Sequence, residues 1–208
     1  MVTRRIFILF AAALPALYIR PAAAQDAELT QAAAFIRASG NRLANLSVGA
    51  TSATDEQTRL LAFLDDVVDF DAVARFSLGR YWRVATPQQQ QAYLTAFRQV
   101  VMRNVSVRLG DYTHGIAKFE VGQPIRQGAA IHVPMLVSQP GTKPLHVVWV
   151  VSMDTGRPRI VDLIAEGMSL RVTQRSDYAS FIERNHNDVG ALIAAIQKQQ
   201  TLPEPARK

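Results

Sequence analysis

The hydrophobic period of this chain changes twice, and that order leaves few architectures open. Over residues 26–47, Leu29, Ala32, Ala33, Ile36, Leu43 and Leu46 recur at three- and four-residue steps, the period of a helix. A second helix is expected behind Thr54 as cap. It carries Leu60, Leu61, Leu64, Val67 and Val68, with Asp55 and Glu56 near its start, where the helix dipole favours acids. A short third helix over 71–78 should stop at Gly79. Thr86-Pro87-Gln88-Gln89 then offers a cap, a proline at the first helical position and a glutamine that can bond back to the cap. The helix it starts should run to about Leu109, with the stripe Tyr93, Leu94, Phe97, Val100, Val101, Val105 and Leu109 on one side.

After Gly110 the residues alternate instead, which predicts strands over 116–121, 129–138, 144–153 and 158–164. The stretches 139–142 and 154–156 between them are hairpin-turn sequences. Beyond Gly167 helical spacing returns through Tyr178, Phe181 and Ile182, then Val189, Leu192, Ile193 and Ile196, ahead of a polar tail at 201–208. Helices, a meander of about four strands and helices again predict an α+β fold, with amphipathic helices packed on a curved antiparallel sheet. Residues 25–200 are expected to form one domain.

One strand breaks the rule for a sheet with one wet face. Val147, Val148, Trp149, Val150 and Val151 are apolar without alternation, so both faces of this strand should be dry. Either helices cover the second face or an apolar cavity lies against it; the sequence leaves both open.

The N-terminus reads as an export signal over 1–24. Arg4 and Arg5 precede a 14-residue apolar run from Ile6 to Ile19, and Ala22-Ala23-Ala24 precedes Gln25 as a cleavage point. That run is short of the roughly 20 residues a spanning helix needs. Arg4-Arg5-Ile6-Phe7 is also similar to a twin-arginine signal; the general secretory route is preferred because no cofactor site is visible downstream. Cleavage would remove Arg4, Arg5 and Arg20 and no acid, so 23 basic residues become 20 against 17 acids, a net charge of +3. So mild a surplus gives no argument for nucleic-acid binding. The chain has no cysteine, which excludes disulfides and lipoprotein anchoring.

Reactive constellations are sparse. Asp65-Asp66-Val67-Val68-Asp69 has the form of a magnesium-diphosphate motif, but no second acidic segment accompanies it, and a solvated helix end is the plainer reading. His114, His132, His146 and His186 fall in separate elements; only His132 and His146 are candidates to meet, across a hairpin, and two ligands do not make a zinc site. No Gly-x-Ser-x-Gly elbow and no glycine-rich phosphate loop occurs. Asp162 and Glu166, near a strand end, are the remaining candidates for a general base in a cone-shaped α+β pocket enzyme, with structural roles as the alternative. No cofactor or metal is expected.

Two separated stretches resemble one family, the Mla-type periplasmic phospholipid carriers (MlaC-like, also called toluene-tolerance or ABC-transporter auxiliary proteins). The first is Asp69-Phe70-Asp71 through Leu78-Gly79-Arg80-Tyr81-Trp82-Arg83, then Thr86-Pro87, Gln90 and Phe97. The second is Val161-Asp162, Glu166-Gly167-Met168-Ser169-Leu170 and Arg175-Ser176-Asp177-Tyr178. Val105 and Gln174 stand where relatives often have tyrosine, which makes a hopanoid-associated lipid an alternative cargo. The resemblance implies a monomeric, non-enzymatic periplasmic carrier. It would shuttle phospholipid between an outer-membrane lipoprotein complex and an inner-membrane ABC transporter complex with its lipid-binding subunit, maintaining outer-membrane asymmetry. Alternation and the helix stripe then nominate the cavity wall: Ile131, Val133 and Met135, Val147, Trp149 and Val151, and Phe97, Val101 and Val105. Arg80, Arg83 and Arg175 are candidates for a headgroup rim or for structural ion pairs.

Overall fold

The computed structural model describes residues 22–46, 48, 50–113, 118–138, 141 and 143–201, with the side chains of 106–113 outside that description. The expected export signal up to residue 21, His114, most of the 139–142 turn, the Leu109 side chain and the tail from 202 therefore lie outside the described residues. Four helices come first: α1 (Ala22–Ala44), α2 (Ala53–Val67), α3 (Phe70–Leu78) and α4 (Pro87–Thr113). Six strands follow: β1 (Lys118–Val121), β2 (Ile125–Gln127), β3 (Ala130–Ser138), β4 (Leu145–Ser152), β5 (Arg159–Ala165) and β6 (Met168–Ser169). Helices α5 (Leu170–Arg184) and α6 (Val189–Thr201) close the order. The fold is α+β, as the period changes predict.

The local chemistry explains most boundaries. The Thr86 hydroxyl accepts from the Gln89 N–H and the Gln89 side chain accepts from the Thr86 N–H, so the reciprocal cap expected of this sequence starts α4. Helix α2 begins one residue earlier than its nominated cap: Ser52 accepts from the Asp55 N–H, and Asp55 in turn accepts from Thr51. Gly79 ends α3 at φ 59° and ψ −127°, a backbone conformation open to glycine, and the chain continues as a 3-10 turn over Gly79–Arg83.

The sheet runs β1-β3-β4-β5-β6, all antiparallel, and β2 also pairs with β3. Strands β1 and β2 form one interrupted edge. Val121 pairs with Met135 and Ile125 with His132, while the Gly122 N–H donates to the Pro134 carbonyl between them. Pro134 has no N–H to return toward that edge, so the ladder breaks there. Between β4 and β5 the register shifts at Val150 and Val151, whose partners are Asp162 and Ile160, leaving Val161 as the extra residue of a bulge.

The buried residues form two cores, one of them on the sheet. Ala32, Ile36, Leu60, Phe63, Leu64, Val67 and Phe70 pack with Ile131, Val133, Val151 and Ile160, so α1, α2 and the start of α3 cover one sheet face. The second core is helical, built from Leu78, Tyr81, Tyr93, Phe97, Val100, Ile182, Val189, Leu192 and Ile196. Val101 on α4 packs against both, which makes α4 the strut between them. Among the described residues no helix is long and apolar enough to cross a membrane.

Candidate functional site

Antiparallel pairing gathers the six nominated strand residues on one face. Ile131 stands opposite Val151, Val133 opposite Trp149, and Met135 opposite Val147. Leu163 and Ala165 extend the second and third of these rows onto β5, opposite Trp149 and Val147. Val101, Met102 and Val105 of α4 pack against the same core, alongside residues of α1 and α2. Phe97 does not join them: it is 2% exposed in the helical core, its ring 5.7 Å from Tyr93 and 6.4 Å from Tyr178. The stripe that contains Phe97 is continuous in sequence, but the helix is long enough to serve two cores in turn.

Packing on the face is graded. Ile131, Val133 and Val151 are fully buried and Val147 nearly so, whereas Met135, Trp149, Leu163, Ala165 and Val105 are only partly covered. Two clefts elsewhere are lined by none of the nominated residues. One, of about 580 Å³, lies along α4 and α6 with Gln88, Gln91, Thr95, Gln99 and Gln197; the other, of about 340 Å³, lies beside Asp69, Arg98, Arg157 and Arg159.

The opposite face carries the polar chemistry. Asp162, buried on β5, accepts from the Leu163 N–H at 2.8 Å, the Arg171 N–H at 3.0 Å and the Ser169 hydroxyl at 2.5 Å. The Arg171 Nε is a further 3.5 Å away, and its guanidinium lies 4.3 Å from the Phe76 ring centroid. Ser169 also caps α5 through the Val172 N–H. These contacts tie β5 to the start of α5 and engage both Asp162 oxygens. Glu166, the other nominated base, is exposed at φ 50° in the turn before β6. The geometry gives Asp162 the structural role that was the alternative, while Glu166 stands on an exposed turn.

His132 and His146 do not meet. The register sets His132 opposite Val150 and His146 opposite Leu136, so four strand steps, roughly 13 Å, separate their rows. No group of three metal-binding side chains occurs among the described residues. His132 instead lies near Arg171 and Asp162: burial, then the Arg171 charge, lowers its pKa from 6.5, and Asp162 acts in the opposite sense. A lowered histidine pKa means that the unfolded chain takes up its proton first as pH falls. Stability should therefore decline below pH 6.5 until the folded pKa is passed, and be flat above. Urea unfolding between about pH 5 and pH 7 checks this, with His132→Gln expected to remove the slope.

The aspartate-rich segment is matched by arginines. Asp65 pairs with Arg98, and Asp66 pairs with Arg42 at 2.6 Å and Arg157 at 3.0 Å, which holds its pKa below the usual carboxylate value. Asp69 caps α3 through the Ala72 N–H. Of the nominated arginines, Arg80 bonds Glu183 at 2.6 Å and the Tyr81 hydroxyl at 2.9 Å, tying the 3-10 turn to α5. Arg175 lies over Phe76 and against Gly79, where a Cβ would meet its Nε at 2.8 Å. Arg83 is exposed in the same turn.

The family model described as MlaC protein matches residues 41–198, about three quarters of the chain. The chain belongs to the MlaC family. Its fold is similar to that of a phospholipid-binding protein from Ralstonia solanacearum, solved in complex with a phospholipid. The TM-score is 0.68 at 18% identity, covering 82% of this chain and 97% of that one. As an MlaC-family member, the protein keeps Arg80, Arg175, Asp162 and Ser169 of the two signature stretches as ties between elements.

Proposed function

We propose that this MlaC-family protein is a periplasmic carrier that shelters the acyl chains of a phospholipid and moves it between outer- and inner-membrane transport complexes, so maintaining outer-membrane asymmetry. The observation that carries this reading is the apolar wall of Ile131, Val133, Met135, Val147, Trp149 and Val151 on one sheet face, in a core shared with Val101 and Val105 of α4, where Met135 and Trp149 are only partly covered. The lipid held by the Ralstonia protein of similar fold supports it.

The physics asks for such a wall. Each CH₂ exposed to water costs about 0.8 kcal/mol, so a two-chain lipid leaves a membrane unaided extremely slowly, and a dry sleeve removes most of that barrier. The carrier supplies shelter, and the partner complexes set direction. A lipoprotein complex at the outer membrane and an ABC transporter complex at the inner one are the partners of this proposal. The engagement of Asp162 by Ser169 and Arg171 supports a carrier over a pocket enzyme using that acid as base.

Solvent extraction of the purified mature protein followed by lipid mass spectrometry tests the proposal. Stoichiometric phospholipid is expected, together with transfer of labelled phospholipid between vesicles; hopanoid in its place would favour the alternative cargo. A protein that retains no lipid and transfers none would overturn it.

A further inference from the structure

Trp149 sets a hydrogen-bond donor among wholly apolar strand neighbours. Its indole Nε1 is buried and has no hydrogen-bond partner among the described residues. Its register partners on the two adjacent strands are Val133 and Leu163, and Val147 and Val151 flank it on its own strand face. None of these side chains can accept a hydrogen bond. Buried N–H groups are nearly always paired in a finished structure, so an orphan in the middle of a binding face points to an acceptor brought by the guest.

The character of that acceptor follows from the surroundings. A phosphate would need a countercharge on a face this dry. The charged residue that shares the face by register, Arg126, stands opposite Ile131 at the closely packed end; it is bonded to Glu28, which answers its charge, though its Nε is also buried without a partner. A neutral carbonyl oxygen has no such requirement. In a diacyl lipid the neutral acceptors sit where the chains join glycerol, at the ester linkages.

Resting on the carrier reading, we infer that the Trp149 indole N–H donates to an ester carbonyl of the bound lipid, fixing the depth at which its glycerol sits and selecting ester-linked over ether-linked chains. Phenylalanine would fill much of the same wall area without the donor, which makes Trp149→Phe the informative change.

The test uses the delipidated full-length mature protein and two probes, a phosphatidylethanolamine with ester-linked chains and its dialkyl ether counterpart of equal chain length. The wild type should prefer the ester by about tenfold, the scale of one net hydrogen bond in a dry site, and W149F should lose that preference. In spectra of ¹⁵N-tryptophan-labelled protein, the indole resonance absent from W149F should move downfield with the ester lipid and not with the ether lipid. Should W149F fail to fold, Trp82→Phe assigns the same resonance, and the wild-type measurements stand. Equal affinity for the two lipids, or an equal downfield shift with both, would overturn the ester contact while leaving the carrier intact. Binding of neither lipid would remove the carrier reading as well.

Discussion

Asp162→Ala is expected to destabilise the protein by about 3–5 kcal/mol, the range for removing one partner from a buried charged pair. The carboxylate is 3% exposed on its side chain and receives two backbone N–H groups, a serine hydroxyl and the flank of Arg171. Alanine would leave those donors facing a void that water does not readily reach. Asp162→Asn separates the parts of this effect. Both backbone donors bond Oδ1, which an asparagine oxygen can retain, so about 1–2 kcal/mol should be lost instead. Urea denaturation of the two variants reads the difference. Loss of lipid transfer should follow loss of fold in both, whereas a folded, lipid-loaded D162N with abolished function would show that Asp162 does more than tie β5 to α5.

That tie was half legible in the sequence. Asp162 interrupts an apolar strand and Glu166-Gly167 marks a junction, which points to structural acids, but which residues supply the donors depends on β6 folding back beside β5. Strand β6 has two residues and β2 three, each too short for alternation to declare itself. Elements whose signal is local came through: the Thr86–Gln89 cap, the stop at Gly79 and the pairing of β3 with the continuously apolar β4. The six strand residues reached one face because a two-residue period leaves one consistent register once the turn is fixed. Contacts set by turn length or helix crossing did not come through. The histidine pair fails by four strand steps, and the α4 stripe gives no hint that Phe97 and Val105 serve different cores.

That division of α4 yields opposite expectations for its two ends. Phe97→Ala removes a 2% exposed ring held between Tyr93 and Tyr178 in the helical core, and should cost about 3–5 kcal/mol as a cavity opens there. Whatever remains folded should still carry lipid at full stoichiometry, because the sheet-facing wall is untouched. Val105→Trp adds bulk eight residues further along, at a partly buried position over the sheet face. If a guest occupies that side, the indole takes the guest's place: lipid content and vesicle-to-vesicle transfer should fall at least about tenfold, with little change in stability because no close-packed neighbour has to move. If the protein's own atoms already fill the space, the same substitution overpacks it and costs about 1–3 kcal/mol. Thermal unfolding paired with lipid mass spectrometry on V105W separates the two cases. A destabilised variant with unchanged lipid content would place the guest somewhere other than between α4 and the sheet.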